Sequence, residues 1–171
     1  NLDDGSHQLV GQLNGADPAG PITHPPANLV CLAGDLYFIA RQSDDLVRIK
    51  LDAGAVVSIR KVADLSQNTK AFTEVGDLSV RADGVLFFNA DAALWRFDLT
   101  GMNGLRPVAS TSYDYLAVTF AAGNLVANRT ASPASLRLVD TETAADSLLA
   151  ATMPLINPVD FAATEPSVVL P

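Results

Sequence analysis

The chain has 171 residues, 49% of them hydrophobic, which is enough apolar material for a packed core and excludes wholesale disorder. Eleven Lys and Arg against 19 Asp and Glu give a formal charge of −8, a balance that argues against nucleic acid and anionic membranes, both of which are gripped by clustered cations. No apolar run approaches the roughly 18–20 residues that span a bilayer, and the single cysteine, Cys31, excludes an internal disulfide.

In chain order, residues 1–13 read as the end of a repeated β-unit, with Asp4-Gly5 as a turn and residues 8–13 as an outer strand. They carry no initiator Met, basic n-region or apolar h-region, so the expectation is a mature exported chain or a piece of a longer protein. Residues 14–28 form a linker loop rich in Gly, Ala and Pro. Beyond it, runs of Val, Leu, Phe and Tyr alternate with Gly, Asp, Asn and Pro clusters, the pattern of short antiparallel strands. Strands are expected at 29–32, 36–40, 46–51, 56–63, 78–81, 85–90, 93–98, 105–109, 116–120, 125–128, 136–139 and 147–151. Gly34-Asp35, Asp83-Gly84, Gly101 and Gly123-Asn124 supply turn residues between them. The one helical alternative is 143–151, whose apolar face Asp146 interrupts.

The strands repeat. Gly34-Asp35-Leu36-Tyr37-Phe38-Ile39-Ala40 lines up with Gly84-Val85-Leu86-Phe87-Phe88-Asn89-Ala90, and more loosely with Gly123-Asn124-Leu125-Val126-Ala127-Asn128-Arg129. Each copy is preceded by one strand and followed by two. Four strands per unit joined by short turns describe a β-propeller blade, since one such sheet covers its faces only by stacking on neighbours. The expected fold is therefore all-β, a β-propeller-like array of four-stranded blades with about three full and two partial units. The full blades are expected at 29–65, 72–110 and 113–152, with 153–171 as the start of a next blade or a closing segment. Asn157-Pro158-Val159-Asp160-Phe161-Ala162 resembles the Pro25-Pro26-Ala27-Asn28-Leu29-Val30 run that leads into the first full unit. A four-bladed ring, a fragment of a longer propeller, a ring assembled from two copies and a capped open array all fit this spacing; a piece of a larger protein is favoured.

The second unit reads Leu86-Phe87-Phe88-Asn89-Ala90-Asp91, then Leu94-Trp95-Arg96-Phe97-Asp98-Leu99-Thr100-Gly101. The first offers Leu36-Tyr37-Phe38-Ile39-Ala40, Leu46-Val47-Arg48, Leu51-Asp52-Ala53-Gly54 and Val62-Ala63-Asp64-Leu65. Over roughly residues 1–110 these units resemble the bacterial ELWxxDGT repeat family, with Ala93 in place of the signature Glu and no Trp in the third unit. The resemblance implies a propeller-like fold in a bacterial, exported protein and no particular chemistry.

No motif reaches a catalytic or metal-site prediction, and no cofactor is expected. Trp95 is either a ligand-stacking platform or a core aromatic, with the core favoured. His7 and His24 would need Asp3, Asp4 or Asp17 to converge on them before they could hold a metal, and Ser6 next to His7 matches no known triad. Asp44-Asp45 reads as hairpin chemistry and solvated charge rather than a calcium loop, and Cys31 as a small buried hydrophobe. The linker loop, with Asp17 and His24, is the first choice for an interaction surface, joined by Trp95. The functional expectation is a non-enzymatic binding or scaffold domain of an exported bacterial protein, periplasmic or extracellular. It would meet a protein or glycan partner, itself, or the remainder of a longer chain. One alternative is a glycan-active or hydrolytic propeller built from Asp3, Asp4, Asp44, Asp45, Asp83 and Asp91; another is a structural segment completing a larger propeller.

Overall fold

The computed structural model describes residues 28–40, 43–68, 72, 75–101, 104–110, 115–129 and 135–151. Expectations for residues 1–13, for 14–27 of the linker loop and for 153–171 lie outside these residues, and with them His7, Asp17 and His24. Among the described residues, twelve strands fall into three antiparallel sheets of four, each in simple meander order. Blade 1 contains β1 (Val30–Leu32), β2 (Asp35–Ala40), β3 (Asp45–Asp52) and β4 (Ala55–Asp64), followed by a 3₁₀ turn at Leu65–Asn68. Blade 2 contains β5 (Val75–Val80), β6 (Val85–Ala90), β7 (Ala93–Asp98) and β8 (Leu105–Ser110). Blade 3 contains β9 (Tyr115–Ala121), β10 (Asn124–Arg129), β11 (Ser135–Val139) and β12 (Asp146–Ala151). The helical alternative at 143–151 is not realised: β12 pairs with β11 from Asp146 to Ala151.

Side chains alternate across each strand, so every blade has two faces to cover. The face of blade 1 bearing Ile39 and Leu46 packs on Leu78, Leu86, Phe88 and Phe97 of blade 2. The opposite face of blade 2, bearing Phe87 and Leu94, packs on Val118, Phe120 and Leu125 of blade 3. The Phe87 and Phe120 rings meet edge to face at 5.5 Å. Each blade thus has a back face toward the preceding unit and a forward face toward the next. Leu86, Phe87 and Phe88 are consecutive and at most 1% exposed, because successive residues feed opposite interfaces.

Two sequence expectations are corrected here. Cys31 is exposed rather than buried: on three-residue β1, Val30 enters the core shared with blade 2, and alternation sends Cys31 to the other side. Asp44 is 3% exposed, not a solvated charge: the Leu65 N–H bonds to its carbonyl and the Phe72 N–H to its carboxylate.

Four of the hairpins have two-residue loops with both residues at positive φ: Ala33-Gly34, Ala53-Gly54, Asp91-Ala92 and Ala122-Gly123. That is the type I′ geometry whose twist matches the flanking strands. Its first position suits Asn or Asp; alanine there suffers Cβ crowding of roughly 1–2 kcal/mol. Ala53→Asn and Ala122→Asn are each expected to raise stability by about 0.5–1 kcal/mol, read as a higher denaturant midpoint at unchanged slope.

Candidate functional site

Several of the described polar side chains meet where blades adjoin. At the inner edge of the blade 1–2 junction, the Asn28 amide donates to the Gly76 carbonyl at 2.7 Å, and its oxygen accepts the Ile39 N–H at 3.2 Å. At the blade 2–3 junction, Asn89 accepts the Asp77 N–H at 3.1 Å and donates across to the Tyr115 carbonyl. Alongside it, the Asp77 carboxylate accepts the Val118 N–H at 3.2 Å, and Ser79 Oγ accepts the Phe120 N–H at 3.1 Å. Side chains on or beside the two inner strands of one blade thereby satisfy backbone groups on the innermost strand of the next, which no sheet ladder reaches. Gly76 is required by this clasp, because a Cβ there would fall inside the Asn89 amide.

Farther out, Tyr115 on β9 is 2% exposed and donates its hydroxyl to Asp146 on β12 at 3.0 Å. Arg137 on β11 pairs with the same Asp146 oxygen at 2.9 Å. Burial, and secondarily the Asp146 carboxylate, push the Tyr115 phenol above its ordinary value, so it remains a neutral donor. Arg96 of blade 2 reaches both Glu142 oxygens of blade 3 at 2.8 Å. Arg81 lies over the Phe87 ring, holds Asp83 and touches Thr141.

A different arrangement occupies the rim formed by the β2–β3 and β6–β7 turns. Asp44 sits at φ 53°, accepts the Phe72 N–H at 2.9 Å, and through its backbone carbonyl accepts the Leu65 N–H at 2.9 Å. Desolvation raises its carboxyl above the usual range, opposed by the Phe72 N–H and reinforced by Asp64, Asp91 and Asp45. Lys61 bridges Asp45 and Asp64. Asp64 is held low, first by the Ser66 hydroxyl and then by Lys61. Of the acids expected to form an enzymatic site, Asp44, Asp45 and Asp91 therefore share this rim. Asp83 does not: it lies in the turn at the other end of six-residue β6 from Asp91, about 17–20 Å away. Among the described residues, no group of three His, Cys, Asp or Glu side chains is placed to hold a metal ion.

Trp95 lies on β7 in the core between blades 1 and 2. Its ring is edge-on to Phe72 at 5.1 Å, and its N–H donates to the Ala90 carbonyl at 3.1 Å. A shallow hollow of about 300 Å³ lies at the start of β12, lined by Asn124, Leu138, Asp140, Asp146 and Ser147 among others. The junction residues Asn28, Asp77, Ser79, Asn89, Tyr115 and Asp146 were not singled out from sequence. The signal available for them was register: Asn89 and Asn128 share one place in the repeat, and Asn28 and Asp77 share another.

No protein-family profile and no curated protein sequence matches the chain. Solved structures do, at the level of fold. A nidogen–laminin complex aligns with a TM-score of 0.57 and 11% identity over 74% of this chain. TolB from Acinetobacter baumannii aligns with a TM-score of 0.54 and 12% identity over 76%. Both matches are β-propellers, and the chain has the same blade architecture. The alignments span 48% and 34% of those longer chains.

Two predictions test these roles. Asn89→Leu orphans the Tyr115 carbonyl and the Asp77 N–H and is expected to cost about 1–3 kcal/mol, measured by urea unfolding. Asp44 binds protons more tightly folded than unfolded, so its carboxyl subtracts stability as pH rises from 3.8 through its raised folded value, and the cost persists at neutrality. Asp44→Asn keeps an acceptor for Phe72 and should raise the melting temperature at pH 7, with the gain vanishing toward pH 3. Asp64, Asp83 and Asp140 act oppositely: their stabilisation, present above 3.8, is lost as pH falls through their lowered values.

Proposed function

We propose that this chain is a non-enzymatic binding scaffold, a propeller domain of an exported bacterial protein that presents outer strands and rim loops to a protein or glycan partner. The observation that carries the reading is the apolar dressing of two outermost strands. On β4, Val57 is 52% and Val62 39% exposed; on β12, Leu148 is 58% and Leu149 49% exposed. Among the described residues, each of these strands pairs on one side only. A strand edge with aliphatic side chains above and below is a template for an extended segment of another protein, with main-chain hydrogen bonds giving affinity and side-chain pockets specificity. These edges favour a protein over a glycan.

Supporting this division of labour, Asp44, Asp77, Asp140 and Asp146 are engaged in hydrogen bonds that hold turns and blades. Of the similar structures, the nidogen one is a complex with laminin, and TolB comes from a bacterium. The ELWxxDGT resemblance points to an exported bacterial protein, in the periplasm or outside the cell. No helix among the described residues is long and apolar enough to cross a membrane.

The test is to screen the purified chain against displayed random peptides, a glycan array and chromogenic glycoside and ester substrates. Enrichment of extended peptides with alternating apolar residues is expected, with affinity weakened at least about tenfold, or 1.4 kcal/mol, in Leu148→Lys/Leu149→Lys or Val57→Lys/Val62→Lys variants that melt like the parent. Turnover of a substrate, with no ligand whose binding depends on these positions, would overturn the reading.

A further inference from the structure

Two blades carry arginines that face each other across neighbouring strands. On the forward face of blade 1, Arg48 follows Leu46 by two residues and stands opposite Tyr37 on β2 and Arg60 on β4. Blade 2 repeats the row: Arg96 stands opposite Phe87 and Arg106. Like charges directly opposite disfavour a strand pair, so each row calls for a carboxylate. In blade 2 it comes from the next blade, where Glu142 in the β11–β12 turn gives both oxygens to Arg96 at 2.8 Å. The same place in the turn of blade 2 belongs to Thr100. Asp98 accepts the Thr100 N–H at 2.8 Å as Asp140 accepts the Glu142 N–H at 2.9 Å, two residues on in each case. Thr100 is exposed and has no carboxylate to offer Arg48.

The blade 1 row is left open. The Arg48 side chain is 44% exposed and turns back to Asp35 of its own blade, with Nε and Nη2 both on Oδ2. Arg60 is exposed and bonds to no carboxylate among the described residues. Lys50 continues the same face, opposite Ser58, and Asp52 follows it at the turn. Three cations against two carboxylates make this surface positive in a chain whose net charge is −8.

We propose that Arg60, with Arg48 beside it, binds a side-chain carboxylate of an extended partner-protein segment docked along β4, in the role Glu142 has for Arg96. A planar guanidinium takes a carboxylate through two parallel bonds. A segment paired with β4 sets alternate side chains on the forward face, so an acidic residue there reaches Arg60, which β4 itself carries. That route favours a peptide over an acidic glycan. The inference rests on β4 as a docking edge and adds the charge its occupant carries.

The probes are two labelled heptapeptides, alternating Val-Glu and alternating Val-Gln, each on a short polyethylene-glycol tag and titrated on the full chain by fluorescence polarisation. The Val-Glu peptide should bind at least about tenfold tighter, or 1.4 kcal/mol, and both should be lost in Val57→Lys/Val62→Lys. The Val-Glu advantage should disappear in Arg60→Gln, and in Thr100→Glu, which supplies the carboxylate from within the chain. It should persist in Arg106→Gln, the same charge change in blade 2. Equal affinity of the two peptides, equal loss in Arg106→Gln, or preference for an oligoglucuronate would overturn this proposal and leave β4 a docking edge. Binding of neither peptide would remove the edge as well.

Discussion

A four-stranded sheet with apolar side chains on both faces has no stable existence alone in water, and every other feature of this protein answers that constraint. Burying Leu86, Phe87 and Phe88 takes two neighbours, because consecutive residues point to opposite sides. Each fully buried aliphatic or aromatic side chain is worth roughly 1.5–3 kcal/mol, so the interfaces outweigh any contribution from an isolated hairpin. The blades therefore behave as a one-dimensional stack, each stabilised mainly by the units beside it.

Apolar contact is permissive about alignment; the polar groups at the junctions are not. Where innermost strands lie side by side without a ladder between them, backbone N–H and C=O groups need partners from elsewhere. Asn28, Asp77, Ser79 and Asn89 supply them, and each bond forms at one register only. Farther out, Arg96 with Glu142 fixes blade 3 against blade 2, and Tyr115 with Asp146 and Arg137 ties its strands to one another. The polar residues thus specify the stacking that the apolar residues drive.

This division bears on function. Of the carboxylates the sequence offers to an active site, Asp44, Asp45 and Asp83 are held by a backbone N–H, Lys61 and Arg81, while aliphatic side chains stand exposed on β4 and β12. The rim around Asp44, where acids crowd, has a buried carboxyl satisfied by the Phe72 N–H and a lysine bridging its neighbours. That chemistry closes a turn.

The strands, their grouping in fours and the turns were legible in the sequence, because alternation and Gly-containing loops are local signals that read one strand at a time. The Gly-x-Leu frame shared by residues 34–40, 84–90 and 123–129 carries the repeat for the same reason. What only the tertiary structure decided is which polar residue meets which blade. Asn89 reads only as one residue of an expected strand until its amide is seen on the Tyr115 carbonyl, and Asp44 as a surface charge until the Leu65 and Phe72 N–H groups are seen bonded to it. Cys31 looks buried in an apolar run, yet the core takes Val30 and leaves Cys31 in solvent. These outcomes depend on groups distant in sequence, whose proximity is set by stacking sheets rather than by local propensity.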